Sequence, residues 1–266
     1  KYQNAVPIDL SSKKILIPLN IFDETVAFVY IEHDSQIMQA ERVLLEVFLN
    51  QCSSILESVR LYNNLDNAYQ QSINTLAQIA EFKDKDTAEH INRIFGYTEK
   101  IATEMGQAPE MAYKWAQAAR LHDVGKMGIP DTILLKPGKL TEEEFDIMRQ
   151  HTTIGASILG EMYGMDLAQD IALSHHEHWD GSGYPEGKVA DQTSLPARIV
   201  GIADVFDALV NIRCYKPAWS IEEAIQYIKA KSGSQFDPAV TDAFLKLYDE
   251  GVIEKLIVKN KAWDSK

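Results

Sequence analysis

The chain has 266 residues, of which 45% are hydrophobic, so it is long enough to bury a core in one large or two modest domains. Acidic residues (39) outnumber lysines and arginines (26), and the net charge of −13 argues against non-specific binding to nucleic acid polymers or anionic membranes. No apolar run has the length of a membrane span, and no signal peptide is visible. Two cysteines suit a reducing compartment, so we expect a cytoplasmic location.

The N-terminal part predicts a small sheet and then a long helix. Runs of β-branched and aromatic residues at 14–19 and 26–32 flank a polar turn and indicate a hairpin, which needs further strands to be stable. From about Gln39 to Phe82 there is no Pro or Gly and the apolar residues keep a helical period, which predicts one or two long helices. Hairpin and outgoing helix together resemble the C-terminal half of a GAF-type sensor module, over about residues 10–60.

The long helical segment also carries a heptad-like pattern. Tyr62, Tyr69 and Leu76 are seven residues apart, and Leu65 and Ile79 occupy intervening d-like positions. The pattern fits packing within one domain or a parallel coiled coil, and we favour the parallel homodimer. Because the first residue is not Met, we expect a piece of a longer protein, with a sensor or receiver domain upstream.

The remainder of the chain predicts an all-α domain. From Asp84 onward the signals are mostly helical, and capping boxes begin at Thr141 and Ser220. Glycine and proline concentrate at 125–138 and 181–194, which indicates loops. Side chains at the helix ends that border these loops would form an open pocket.

Residues 175–185 join two adjacent histidines to a Gly-x-Gly-Tyr-Pro turn. Imidazole is the commonest metal ligand in proteins, although a lone His-His pair is more often a surface tract. The surrounding sequence changes that balance, because five of the seven histidines fall where nearby carboxylates could complete a multi-metal site. These five are His90, His122, His151, His175 and His176.

Four acidic positions are candidates to complete the site. Asp123 follows His122 at the end of an apolar helix, and its two oxygens can bridge two ions. Asp86 stands four residues before His90, on the same helix face, although a helix cap is an alternative role for it. Asp204 interrupts an apolar run, where a buried carboxylate costs several kcal/mol unless it is paired or metal-bound. Asp207, one turn on, could orient a histidine.

One series of motifs carries a family resemblance. Its members are His122-Asp123-x-Gly125-Lys126, His151, His175-His176-Glu177-x-Trp179-Asp180-Gly181-x-Gly183-Tyr184-Pro185 and Asp204-x-Phe206-Asp207-Ala208. In order and spacing the series resembles the HD-GYP phosphodiesterases of bacterial signalling, over about residues 67–247. The resemblance implies a mainly α structure, with an all-α HD-type domain and added helices. It also implies hydrolysis of cyclic di-GMP to linear pGpG, with continuation to GMP left open, at two or three divalent metal ions.

The resemblance also implies a set of site residues. Its metal ligands here are His90, His122, Asp123, His151, His175, His176 and Asp204. Members with three metals carry a glutamate where this chain has Asp86, which is one methylene shorter, and we expect Asp86 to reach a third ion. Mixed imidazole and carboxylate ligands suit iron, manganese or zinc better than magnesium or calcium. Iron or manganese is the family's usual metal.

The substrate would meet both metals and protein groups. Two ions about 4 Å apart can activate a shared water, align it with phosphorus and neutralise phosphoryl charge. Lys126 is positioned to stabilise the developing charge or the leaving oxygen. Arg213 and Lys216 clamp the phosphates if they act as their counterparts in the family do.

The Gly-Tyr-Pro loop completes the predicted site. Gly183, Tyr184 and Pro185 would shape the mouth that admits a guanine, with Tyr184 available for stacking. Other functions fit less of the sequence: hydrolysis of a hybrid cyclic GMP-AMP, a catalytically weak cyclic-dinucleotide receptor, or an HD nucleotidase. The predicted domains are a partial GAF-like segment (1–60), a connecting coiled-coil-like helix (61–82), the HD-GYP domain (83–250) and a tail (251–266).

Overall fold

The computed structural model describes residues 8–11, 13–21, 24–84, 88–211 and 218–261. The chain divides into two compact units, residues 1–70 and 71–266. Within the described residues the strands are β1 (Ile8–Ser11), β2 (Lys14–Ile21) and β3 (Glu24–Glu32). The α-helices there are α1 (Gln39–Asp84), α2 (Ala88–Glu104), α3 (Pro109–Ala119), α4 (Asp131–Leu134), α5 (Glu142–Arg149), α6 (His151–Gly160), α7 (Asp166–Ser174), α8 (Leu195–Val210), α9 (Ile221–Ala230), α10 (Pro238–Asp249) and α11 (Val252–Lys261).

The first unit contains an antiparallel sheet in the order β1-β2-β3. Side chains alternate across a strand, and on β2 this alternation buries Ile15 and Ile17 completely. Both pack with Ile37 and with Leu49 of α1 to form a small core. The predicted hairpin is confirmed as β2–β3, and the long helical segment is one helix, α1. The GAF-like character and the domain boundaries given above remain predictions.

The second unit is a helical bundle around α2 and α8. Helix α2 packs against α3, α8, α10 and α11. Its core includes Tyr97, Phe206 and Phe244, which are fully buried and meet edge to face with ring centroids 5.6 and 5.0 Å apart. Helix α6 packs on α7 and on the 3-10 turn Val124–Gly128, which follows α3. The mainly α fold class is therefore confirmed.

The helix ends in this unit follow local sequence signals, with one exception before His151. The capping boxes at Thr141 and Ser220 are both present. His151, however, does not lie inside a helix that continues from Met148: α5 ends at Arg149 and α6 begins at His151. The imidazole Nδ1 of His151 lies 2.8 Å from the carbonyl of Met148, which a continuous helix would use for the amide of Thr152. Within the described part of the chain, no helix combines the length and apolarity that a membrane span requires.

Candidate metal centre

The structure brings the predicted ligands of the described residues together in two neighbouring groups. Within each group the candidate ligand atoms all lie within 4.8 Å of one another. One group comprises Asp123, His151, His175 and His176, and the other comprises His90, His122 and Asp204. Asp86 lies outside the described residues, so its part in a third site stays a prediction.

Asp123 stands between the two groups. Its Oδ1 is 3.3 Å from Nε2 of His151 and 3.8 Å from Nε2 of His175. Its Oδ2 is 3.2 Å from Nε2 of His122, which belongs to the other group. Each oxygen therefore faces a different cluster, which is the arrangement that a carboxylate bridging two ions needs.

Backbone carbonyls orient three of the imidazoles. Nδ1 of His122, of His151 and of His175 lies 2.8 to 3.1 Å from carbonyl oxygens three or four residues earlier. A carbonyl only accepts hydrogen bonds, so each Nδ1 carries the proton and donates. Nε2 then presents its lone pair to the centre of the site, as metal-binding histidines do.

His90 is oriented by a carboxylate instead. Its Nδ1 lies 2.7 Å from Oδ2 of Asp207, which confirms the expectation that Asp207 orients a histidine. Arg93 holds Asp207 in turn, donating from Nε to Oδ1 at 2.6 Å and from Nη2 to Oδ2 at 2.9 Å. Sequence reasoning missed Arg93, although its spacing of three residues from His90 places both on one face of α2.

The buried polar atoms of the site fit bound metal ions. Nε2 of His90, of His151 and of His175 and Oδ1 of Asp123 are buried without a hydrogen-bond partner among the described residues. A buried polar atom left in that state costs about 1–3 kcal/mol. Coordination of one divalent cation in each cluster would satisfy all four atoms, and the nitrogen and oxygen donors suit transition metals.

Comparison with known proteins identifies the family. A family model described as an HD domain matches residues 74–240. The chain belongs to the HD domain family. This confirms the membership that the motifs predicted.

Individual relatives of this HD domain are cyclic-dinucleotide phosphodiesterases. A cyclic di-GMP phosphodiesterase of Thermotoga maritima is 47% identical over 177 residues, which are 66% of this chain and 48% of that protein. The 3'3'-cGAMP-specific phosphodiesterase 2 of Vibrio cholerae is 36% identical over 224 residues, 84% of this chain and 43% of that protein. The chain thus spans about half the length of the curated relatives it matches.

A solved structure supports the HD fold. The cyclic GMP-AMP-specific phosphodiesterase V-cGAP3 of Vibrio cholerae matches with a TM-score of 0.55 at 20% identity. The match covers 70% of this chain and 50% of that chain. At this identity the likeness establishes the fold of the HD domain and nothing finer.

The electrostatics of the HD domain leave its candidate ligands in metal-binding protonation states. Burial lowers the pKa of His151, of His175 and of His176, and that of His175 reaches about 3. These imidazoles are therefore neutral near pH 7. Burial opposes ionisation of Asp123, but the charge of Lys126 and the interaction with the neighbouring His122 ring outweigh it and hold the pKa of Asp123 well below its usual value. Neutral imidazole and ionised carboxylate are the forms that bind metal.

His90 behaves differently. Burial lowers its pKa, but the hydrogen bond and negative charge of Asp207 outweigh burial and raise that pKa overall. The same carboxylate raises the basicity of the imidazole and fixes its orientation.

The 3-10 turn after Asp123 places the ammonium group of Lys126 beside the two clusters. Nζ of Lys126 is 2.8 Å from Oδ2 of Asp123. A Cβ at Gly125 would lie 1.9 Å from the carbonyl oxygen of His151, so only glycine permits this contact between the turn and α6. The spacing of His122, Asp123 and Lys126 relative to His151 depends on that contact.

The Gly-Tyr-Pro loop lies against the first cluster. The Tyr184 ring packs on His176 with centroids 4.8 Å apart and planes 32° apart. At Gly183 a Cβ would lie 2.5 Å from the carbonyl oxygen of His176, and the amide of Tyr184 donates to that same oxygen at 3.2 Å. Pro185 follows in the half-buried part of the loop. The loop thus buttresses His176, while contact of these residues with substrate stays a prediction.

Glu177 anchors the far side of the loop. Its carboxylate accepts from the amide of Glu186 at 2.7 Å and from the amide of Lys188 at 3.0 Å. Sequence reasoning assigned Glu177 no role, because its amide partners lie nine and eleven residues further along the chain and meet it only in the folded loop. Arg213 and Lys216 lie outside the described residues, so their contact with phosphate also stays a prediction.

Proposed function

We propose that this HD domain hydrolyses cyclic di-GMP to linear pGpG. The observation that carries the proposal is the carboxylate of Asp123, whose two oxygens face two separate histidine clusters beside the ammonium group of Lys126. The named activities of the relatives support the choice of a cyclic dinucleotide as substrate.

The reaction adds one water across one phosphodiester bond. A new P–O bond forms from water, the P–O3′ bond breaks, and the released 3′ oxygen takes a proton. Bound metal ions would activate the water and neutralise charge on the phosphoryl oxygens. Asp123 holds both clusters in register, and Lys126 offers a positive charge to the phosphoryl group or the leaving oxygen.

We assign iron or manganese to the site. The two clusters supply mainly imidazole nitrogen with two carboxylates, a donor set that suits these metals better than magnesium or calcium. Asp86 is our candidate ligand for a third ion. Arg213 and Lys216 are our candidates for the phosphate clamp, and Gly183, Tyr184 and Pro185 for the pocket mouth.

A hybrid cyclic GMP-AMP is the second candidate substrate. The relative that matches most of this chain's length among those described above is named for that substrate. Both dinucleotides contain guanine and the same phosphodiester, so the clusters alone do not separate them.

We further propose that α1 mediates a parallel homodimer, in the cytoplasm, in a chain with a regulatory domain upstream. Phe48, Ile55 and Tyr62 are spaced by seven residues and are 64%, 55% and 70% exposed. A repeat of seven with large apolar side chains is the pattern of a coiled-coil seam.

Metal content and hydrolysis, measured on one anaerobic preparation, test the proposed activity. We expect two or three equivalents of iron or manganese and release of pGpG, with both lost in Asp123→Ala. Asp249→Ala, which removes an exposed carboxylate of α10, is the control and should keep both. Full metal occupancy with tight dinucleotide binding and no cleavage would instead make the chain a receptor.

A further inference from the structure

The guanidinium group of Arg149 and two aromatic rings lie next to the histidine and carboxylate clusters. Arg149 and Phe145 belong to α5, and Tyr184 belongs to the Gly-Tyr-Pro loop. The guanidinium carbon of Arg149 is 4.5 Å from the ring centroid of Phe145 and 5.6 Å from that of Tyr184. The two rings meet edge to face at 6.3 Å. Tyr184 in turn packs on His176, so a continuous chain of contacts leads from a metal-ligand candidate to α5.

The outer members of this chain are open to a ligand. Phe145 is 38% exposed, and the side chain of Arg149 is 41% exposed. Tyr184 is less exposed and already contacts His176. Phe145 therefore offers the more accessible ring for stacking. Any nucleobase can stack on such a ring, because every base has a flat π face.

An acceptor stands beside the guanidinium donors. Nη1 of Arg149 lies 2.8 Å from Oδ1 of Asp146, whose side chain is 66% exposed. This carboxylate disfavours a phosphate at the same place, because like charges repel. A neutral base meets no such repulsion.

The donor and acceptor pair matches guanine. Guanine presents O6 and N7 as acceptors, which Arg reads with paired donors, while adenine presents a donor at N6. Guanine also carries donors at N1 and N2, which a carboxylate can accept. Adenine has an acceptor at N1, so the same pair would face it with the wrong polarity.

We propose that Arg149 and Asp146, with Phe145 as stacking platform, form a guanine-recognition subsite of this HD domain. The inference rests on the proposed function, because it needs a guanine-containing dinucleotide at the metal clusters. It assigns base specificity to α5, a helix that contributes none of the predicted metal ligands.

The test compares four substrates on matched variants. Initial rates with cyclic di-GMP, 3′3′-cyclic GMP-AMP, cyclic di-AMP and the generic diester bis(p-nitrophenyl) phosphate give kcat/KM for Arg149→Met, Asp146→Asn and Phe145→Leu. Glu142→Gln, an exposed residue of the same helix, is the control.

We expect Arg149→Met and Asp146→Asn each to lower kcat/KM for cyclic di-GMP roughly 10- to 100-fold, mainly through KM. Hydrolysis of cyclic di-AMP and of the generic diester should not change, and Phe145→Leu should weaken all three dinucleotides but not the generic diester. Equal losses on all dinucleotides in Arg149→Met, or loss on the generic diester, would overturn the inference, as would no loss on any substrate.

Failure of the proposed function has a different signature. Wild-type protein would then hydrolyse the generic diester and no cyclic dinucleotide. In that case calorimetric binding of cyclic di-GMP decides the inference: binding that is lost in Arg149→Met supports it, and equal binding, or none to wild type, overturns it.

Discussion

The two compact units depart from the usual distribution of side chains in opposite ways. The second unit buries His90, Asp123 and His175, which are 2%, 6% and 2% exposed, in the middle of a helical bundle. The first unit exposes large apolar groups, among them Phe28 on β3 and Phe48 on α1, which are 57% and 64% exposed. Buried ionisable groups and exposed apolar patches are the two departures that carry information about function.

The two departures indicate two kinds of missing partner. Buried imidazole and carboxylate atoms without hydrogen bonds need a cation, because their burial otherwise costs free energy. Exposed apolar side chains recur every seven residues on α1, and an apolar partner surface would remove them from water. That transfer is favourable. On our proposals, metal ions complete one unit and a second copy of the chain completes the other.

The largest effect is expected at Gly125, where backbone packing positions the two clusters relative to each other. Gly125→Ala would force a Cβ into the carbonyl of His151, so the turn must move away from α6. We expect activity to fall at least about 100-fold, as misplacement of about 1 Å typically causes. Gly233→Ala, where a Cβ meets nothing within 4 Å, should cost only the strain of a positive φ and keep activity. Equal activity of the two variants would contradict this role of Gly125.

Asp207→Asn tests the orientation of His90. The variant keeps the shape but removes the charge that His90 and Arg93 share. We expect metal affinity or activity to fall about 10- to 100-fold, the usual effect of losing a partner of a metal-binding histidine. Metal titration with Glu104→Gln as control checks this, because Glu104 pairs with Lys246 on the surface. Unchanged affinity in Asp207→Asn would refute the assignment.

Some features of the fold and the site could be predicted from the sequence, and others could not. Residue types and spacing sufficed for the hairpin, α1, both capping boxes and the set of side chains that converge, because each depends on local pattern or on ligand chemistry. The break before His151 and the anchoring by Glu177 depend on contacts that form only in the folded chain. Phe145 and Arg149 resembled an ordinary exposed helix face until Tyr184 was placed beside them.

Glu177→Gln tests whether this carboxylate anchors the Gly-Tyr-Pro loop. A glutamine has one acceptor oxygen, so one of the two loop amides that Glu177 binds would face an amide donor. We expect KM for the dinucleotide to rise about tenfold, which corresponds to one charge-assisted hydrogen bond. Glu186→Gln is the control, since that side chain pairs with Lys188 on the surface. A change in kcat alone would argue for a different role.

The pH dependence of stability reports on the neutral histidines. The pKa of His175 in the folded chain is about 3, against 6.5 ordinarily, so between these values the unfolded chain binds a proton that the folded chain does not. Stability of metal-free protein should fall with pH below 6.5, by about 1.4 kcal/mol per pH unit for each such histidine. The raised pKa of His90 acts in the opposite direction, with stability lost as pH rises through it. Urea unfolding checks the sign, and His175→Gln should reduce the slope; a slope of the opposite sign would contradict the account.

The smallest effect on folding is expected on α1. Tyr62→Glu places a charge on the proposed seam, so it should shift the dimer towards monomer while unfolding of the helical unit changes by less than about 0.5 kcal/mol. Light scattering measures the mass, with Asn63→Glu as the neighbouring exposed control. Equal masses for the two variants would remove Tyr62 from the interface.

The central claim is that the two buried clusters hold metal ions bridged by Asp123. A crystal structure of anaerobically purified protein, with anomalous data at the iron and manganese edges, tests it most directly. The account predicts one peak in each cluster, about 3.5–4 Å apart with Asp123 between them. A third peak beside Asp86 would add the third ion. Clusters without anomalous peaks, in protein that still hydrolyses cyclic di-GMP, would contradict the account.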